Sequence, residues 1–163
     1  MIVGLLGKKG SGKDTLFELI RDRFPGAARV AIADPLKRDI AFAFRLTVEE
    51  LELRKEEFRP CLQWYGHMNK DRYTALAFEK ADASPSRLVV ITDARYPEQV
   101  EAIRSRNGLV VRVFRERIRA EDPHPSEAID EFPYDLSITN PGDREEYRRA
   151  ALPIFAEIER RLA

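Results

Sequence analysis

Five short apolar runs rich in β-branched residues are spaced along the chain: IVGLL at 2–6, ARVAIA at 28–33, RLVVIT at 87–92, LVVRVF at 109–114 and YDLSIT at 134–139. Runs of this length predict strands, and because most are apolar at consecutive positions, they predict strands covered on both faces. Between most of them the apolar positions recur every three or four residues, which predicts helices. The first helix opens near Gly12 and turns Leu16, Leu19, Ile20 and Phe24 to one face, until Pro25-Gly26 ends it. Another begins at Pro97, carries Val100 and Ile103 inward and closes at Asn107-Gly108. The last runs from about Asp143, where Glu146 three residues on suggests a capping box, through Tyr147, Ala151, Ile154 and Ile158, with Pro153 placed to kink it. Alternating strands and helices of this kind imply a parallel sheet between two helical layers, a three-layer α/β fold in a single domain over 1–163.

The middle of the chain departs from that alternation. From Asp34 to about Ser84 the pattern is helical, with a Thr47-x-x-Glu50 capping box opening a Glu-rich helix. We therefore expect a helical insertion over 34–85, set above the carboxyl edge of the sheet. Its charge run from Glu49 to Glu57 reads as a solvated face.

Composition narrows the chemistry. With 28 Lys+Arg against 28 Asp+Glu there is no global basic footprint for a nucleic-acid polymer, so anion binding has to be local. No apolar run is long enough for a bilayer, and the first residues lack a charged region and cleavage site of the secretory kind, so the expectation is a cytoplasmic protein without a membrane partner. The single cysteine, Cys61, excludes an internal disulfide and reads as a half-buried small side chain. Two histidines are too few for a Cys/His metal cage.

One motif changes the picture more than composition does. GKKGSGKDT, from Gly7 to Thr15, lies after a strand and before a helix, and Gly7, Gly12 and Lys13 satisfy GxxxxGK. Glycines there let backbone N–H groups turn inward onto phosphate oxygens; the helix N-terminus adds partial positive charge and Lys13 a full one. The loop Gly7, Lys9, Gly10, Ser11, Gly12, Lys13, Asp14 and Thr15 is thus expected to hold the phosphates of a bound ligand. Asp14 stands where the usual motif has Ser or Thr, and Thr15 follows one place later, still within reach of a magnesium ion through water. That ending is more like nucleoside monophosphate kinases than GTPases, and NKDR at 69–72 misplaces the aspartate of a guanine motif. Asp93 ends the third apolar run, the position of a carboxylate that holds magnesium or its waters, and Arg95 follows in the same turn. Phosphoryl transfer rewards positioning and charge neutralisation, so arginines should outnumber general bases.

GKKGSGKDT, ADPLK (33–37), RPCLQWYG (59–66), DARYP (93–97), HPSE (124–127) and TNPG (139–142), in this order and spacing, resemble the phage-type deoxynucleoside monophosphate kinases. The resemblance implies an adenylate-kinase-like P-loop NTPase fold with a five-stranded parallel sheet. It also implies transfer of the γ-phosphoryl of ATP, with Mg2+, to a deoxynucleoside 5′-monophosphate. On that resemblance Lys37, Arg59 and Arg72 are candidates for gripping the acceptor's phosphate, Gln63 for facing its base, and Asp34 for meeting its sugar or a metal-bound water. Asp93 and Arg95 complete the acceptor side, and Thr15 and Asp93 the metal site. FRERIRAEDPHPSE resembles a short lid over 115–127, with Arg115, Arg117 and Arg119 able to close on the phosphates beside the catalytic Lys13 and Arg95. Asn140, Pro141 and Gly142 match the loop that packs the adenine. Where the family tends to carry Glu, this chain has Gln99 with Glu98 beside it, which bears on how Arg95 is oriented. Trp64 and Tyr65 are read as core residues ahead of base-stacking ones. A homodimer is compatible with such a chain. The alternatives are a kinase for another small phosphorylated acceptor, of the dephospho-coenzyme A or phosphomevalonate type, or a nucleotide-binding switch that hydrolyses or senses ATP.

Overall fold

The computed structural model describes residues 1–116 and 132–163. Five strands, β1 (Ile2–Leu6), β2 (Ala28–Val30), β3 (Val89–Ile91), β4 (Leu109–Phe114) and β5 (Leu136–Thr139), form one sheet in the order β2-β3-β1-β4-β5. Every pairing is parallel, with Gly4 level with Ile91 on one side and Val110 on the other. The sheet leaves β1 and β3 buried along their whole length. Among the described residues no helix is long and apolar enough to cross a membrane.

Two apolar clusters lie on the two faces. One gathers α1 (Lys13–Arg23), α7 (Arg144–Ala150) and α8 (Leu152–Leu162) through Leu16, Ile20, Tyr147, Ile154 and Ile158 against Val3, Leu5, Val90 and Val111. The other sets α6 (Pro97–Arg104) and the middle helices against Leu6, Ile91 and Val110, through Val100, Ile103, Ile40 and Ala77. Ile20 and Ile103 are fully buried, so truncating either to Ala would cost about 2–5 kcal/mol.

The middle residues form four helices between β2 and β3: α2 (Ala33–Ala43), α3 (Val48–Leu53), α4 (Lys55–Met68) and α5 (Lys70–Asp82). The Thr47 and Glu50 capping box is present in both halves, and the acids from Glu49 to Glu57 are exposed apart from half-buried Glu52. Cys61 is half-buried against the core, as expected. Trp64 is not a core residue: it is 65% exposed on the outer side of α4, whereas Tyr65 tilts against Tyr73 at 6.4 Å.

Two boundaries differ from the sequence pattern. β2 stops at Val30 because Ile32 and Ala33 already turn into α2, their N–H groups held by the Asp93 carboxylate. The last helical segment is two helices rather than one kinked helix: α7 ends at Ala150, Ala151 joins it to α8, and Pro153 lies in the first turn of α8, where its missing N–H costs nothing. Asp143 caps α7, its carboxylate accepting from the N–H groups of Glu145 and Glu146, each at 2.9 Å.

Candidate functional site

The loop from Gly7 to Gly12 joins β1 to α1 with Gly10 and Gly12 at φ 77° and 103°, left-handed values that favour glycine. Gly12 has a second reason to lack a side chain, because a Cβ there would lie 2.2 Å from Asn140 Nδ2. That contact belongs to a clamp behind the loop. Asn140 Nδ2 donates to Ser11 O at 2.9 Å, its Oδ1 accepts from Gly142 N at 2.9 Å, and the Tyr147 hydroxyl donates to Gly12 O at 3.3 Å. Burial pushes the Tyr147 hydroxyl's pKa up, so it stays a donor across the accessible pH range. The Lys13 ammonium is drawn back into the loop, donating to Gly7 O at 2.6 Å and Lys8 O at 2.9 Å.

Two cavities meet at this loop. The first, about 330 Å³, is lined by Gly10, Gly12, Lys13, Asp14 and Thr15 from the loop and α1, by Arg115 at the end of β4, and by Asn140, Gly142, Asp143, Arg144 and Tyr147. Arg115 Nη1 donates to Gly10 O at 3.3 Å, so this expected arginine does reach the loop. Pro141, between Asn140 and Gly142, is exposed. Arg117, Arg119 and the HPSE stretch lie outside the described residues.

The second cavity, about 290 Å³, opens between the carboxyl edge of the sheet and α2, α4 and α5. Its cations are Lys9, Lys13, Arg29, Lys37, Lys55, Arg59, Lys70 and Arg95, against the acids Asp14 and Asp93. Such a balance suits a multiply charged anion. Lys37 pairs with Glu52 at 2.5 Å, and Lys9 crosses to Glu56 on α4. The same cavity is also lined by Leu36, Leu62, Gln63, Gly66, Tyr73 and Tyr96, apolar and aromatic groups with a few polar ones. Gly66 lets α2 and α4 approach there, since a Cβ would lie 2.8 Å from Leu36 Cδ2.

Of the expected acceptor residues, Lys37, Arg59, Gln63, Asp93 and Arg95 line this cavity. Arg72 and Asp34 are not brought to it. Arg72 is 56% exposed and pairs with Asp39 at 3.2 Å, and Asp34 faces Arg29 at 3.4 Å. From α5 it is Lys70 that lines the cavity, held by Glu98, whose hydrogen bond keeps the Lys70 ammonium above its ordinary pKa. Lys70, Tyr73, Arg29 and Thr92 were missed by sequence reasoning. The first two had a signal: Tyr73 and Ala77 mark the inward face of α5, and Lys70, three residues before Tyr73, shares it.

Gln99 settles how the arginine turn is held. Its Oε1 accepts from the N–H groups of Arg95 at 2.7 Å and Tyr96 at 3.2 Å, while its Nε2 donates to Thr74 Oγ1 at 3.0 Å. At 3% exposure a neutral amide does this without the desolvation cost of a carboxylate.

The two expected metal residues face different cavities, Thr15 the first and Asp93 the second, with Asp14 lining both. Both Asp93 oxygens accept a backbone N–H, from Ile32 at 2.8 Å and Ala33 at 2.9 Å, so the carboxylate caps α2 from across the sheet. We expect Asp93→Asn to turn an amide donor against one of those N–H groups and cost about 1–3 kcal/mol, seen as a lower Tm without nucleotide. An unchanged Tm would mean that these two bonds do not hold α2. Ser11 Oγ and Thr92 Oγ1 are buried with no hydrogen-bond partner among the described residues. Donors here are oxygens, which suit Mg2+ held largely through phosphates and water.

No family model matches the chain. A curated relative from Acanthamoeba polyphaga mimivirus, named "Putative deoxynucleotide monophosphate kinase", is 27% identical over 156 residues, covering 78% of this chain and 80% of its own. Among solved structures, a shikimate kinase from Aquifex aeolicus superposes with a TM-score of 0.52 at 17% identity, covering 99% of this chain and 98% of its own. A dephospho-CoA kinase from Campylobacter jejuni gives 0.50 at 13% identity, with 98% and 97% covered. The architecture is the three-layer α/β fold of the P-loop kinases.

Proposed function

We propose that this P-loop kinase transfers the γ-phosphoryl of ATP to a deoxynucleoside 5′-monophosphate, giving ADP and the diphosphate. The observation that carries the reading is the pair of cavities sharing Gly10, Lys13 and Asp14: one suits a nucleotide donor, the other an anionic acceptor, and they adjoin at the phosphate loop. A switch that only senses ATP has no use for the second cavity. The aromatic and polar groups in its lining support a base, and the name of the mimivirus relative supports a deoxynucleotide.

In this reading the first cavity takes ATP, with Asn140 and Gly142 beside the base and Arg115 over the phosphates. Arg59 and Lys37 grip the acceptor's phosphate, Gln63 and Tyr96 face its base, and Arg95 neutralises charge on the group in flight. Asp14 and Thr15, with Asp93 beyond, would hold Mg2+ or its waters. When bound, the ion supplies charge neutralisation and alignment of the phosphates. Such a Mg2+ role predicts that Asp93→Asn raises the magnesium concentration for half-maximal rate; an unchanged titration leaves Asp93 as the cap of α2 alone.

Coupled ADP production with ATP, magnesium and each dNMP and NMP in turn tests the reading, with shikimate, dephospho-CoA and phosphomevalonate as further acceptors. Turnover of a deoxynucleotide supports it; turnover confined to one of the other acceptors replaces it. Within the same assay, Arg59→Ala should raise the monophosphate KM about tenfold or more and leave the ATP KM nearly unchanged, because a bidentate phosphate grip is lost on one side only. Equal effects on both substrates would move Arg59 out of the acceptor site.

A further inference from the structure

The pleat of β3 separates two neighbouring residues at its carboxyl end. Val89 and Ile91 belong to the cluster facing α2, α5 and α6, while Leu88 and Val90 belong to the cluster facing α1. Continuing that alternation, Asp93 turns toward α2, where its carboxylate is engaged by Ile32 and Ala33, and Thr92 turns toward α1. The register, with Ile91 level with Gly4, brings Thr92 level with the last residues of β1, just before the phosphate loop. Thr92 N completes the sheet ladder by donating to Val30 O at 3.1 Å. Thr92 is only 2% exposed and lines the cavity that holds Lys13, Asp14 and Arg95, and its buried hydroxyl has no partner among the described residues. A buried hydroxyl without a partner destabilises the free protein, and valine would fill the same volume without that cost.

We propose that Thr92 is a catalytic residue whose hydroxyl donates a hydrogen bond to an oxygen of the γ-phosphoryl group as it passes from ATP to the acceptor. The identity of that acceptor rests on the function proposed above; the contact to the γ-phosphoryl does not. The hydroxyl is unpaired in the free protein because its partner arrives with the nucleotide. A fixed donor aimed at developing charge is worth more in the transition state than in the bound substrate.

Thr92→Val and Thr92→Ser test it. The Val variant should melt at or above the wild-type Tm without ligand, since it loses only an unsatisfied group. Its kcat should fall about tenfold or more with both KM values held within about threefold, and the Ser variant should recover most of the rate. Wild-type activity in Val, or a Ser variant as impaired as Val, would overturn the proposal, the latter by showing that the methyl group matters. A lower Tm in Val would overturn its premise of an unpaired hydroxyl. Should wild type turn over no deoxynucleotide, the proposed function falls but Thr92 is still decided by thermal shift. ATP with magnesium should then stabilise Val less than wild type, ADP should stabilise both equally, and equal shifts with ATP would sink the contact.

Discussion

Lys13→Ala should nearly abolish turnover, by about 100-fold or more, in a protein that still folds, because in the proposed function it removes a cationic donor at the phosphoryl being transferred. The Lys13 ammonium now bonds two loop carbonyls, those of Gly7 and Lys8, so the side chain is already drawn to the cradle before any phosphate enters. Exchanging those carbonyls for phosphate oxygens trades neutral acceptors for charged ones, which are the stronger partners. Its loss also leaves the two carbonyls without this donor, so a Tm drop corresponding to about 1–2 kcal/mol is expected beside the kinetic defect. Circular dichroism and the coupled assay separate the two effects. A folded variant with full activity would remove the phosphate loop from the mechanism.

Arg95→Ala should lower kcat and kcat/KM together, by about a thousandfold, with little change in either KM. Arg95 has the support such a role needs: its own N–H is held by buried Gln99, and the side chain lines the cavity that contains Lys13. A charge used chiefly in the transition state leaves ground-state affinities alone. Steady-state kinetics with both products counted is the check. If only one KM rises, Arg95 is a binding residue and the charge that assists transfer lies elsewhere.

Much of the fold was legible because burial on both faces leaves a strong signature in short strands. All five strands were found, and the phosphate loop with them, since glycines and a lysine between strand and helix have few other uses. The lining of the second cavity was read less well, and helix geometry says why. Arg59, Leu62, Gln63 and Gly66 recur at three- and four-residue steps and share the cavity face of α4; Trp64, about 100° away from Gln63, is outside it. Leu36 and Lys37 face the cavity from α2 together with Ala33, three and four residues earlier, whereas Asp34 does not. Arg72 lies off the cavity by the same rule on α5, turned away from the face of Lys70 and Tyr73. A motif resemblance identified the segments, and choosing within each segment needed the face. Thr92 carried no such signal, because a threonine ending an apolar strand looks like ordinary strand composition, and only its pairing state distinguishes it.

The clamp behind the phosphate loop has a consequence for how the molecule comes into being. Asn140 and Ser11, joined by a hydrogen bond in the finished protein, are 129 residues apart in sequence. Gly12 is packed against the same asparagine and bonded by Tyr147, so the most recognisable motif at the amino end is shaped by the last strand and the helix after it. A chain emerging from the ribosome carries its nine-residue signature from the outset, yet completes the binding loop only when β5 and α7 have been made and docked. Nucleotide can therefore act as a stabilising ligand late in folding, by mass action on a nearly finished molecule, and cannot serve as a template for its early steps.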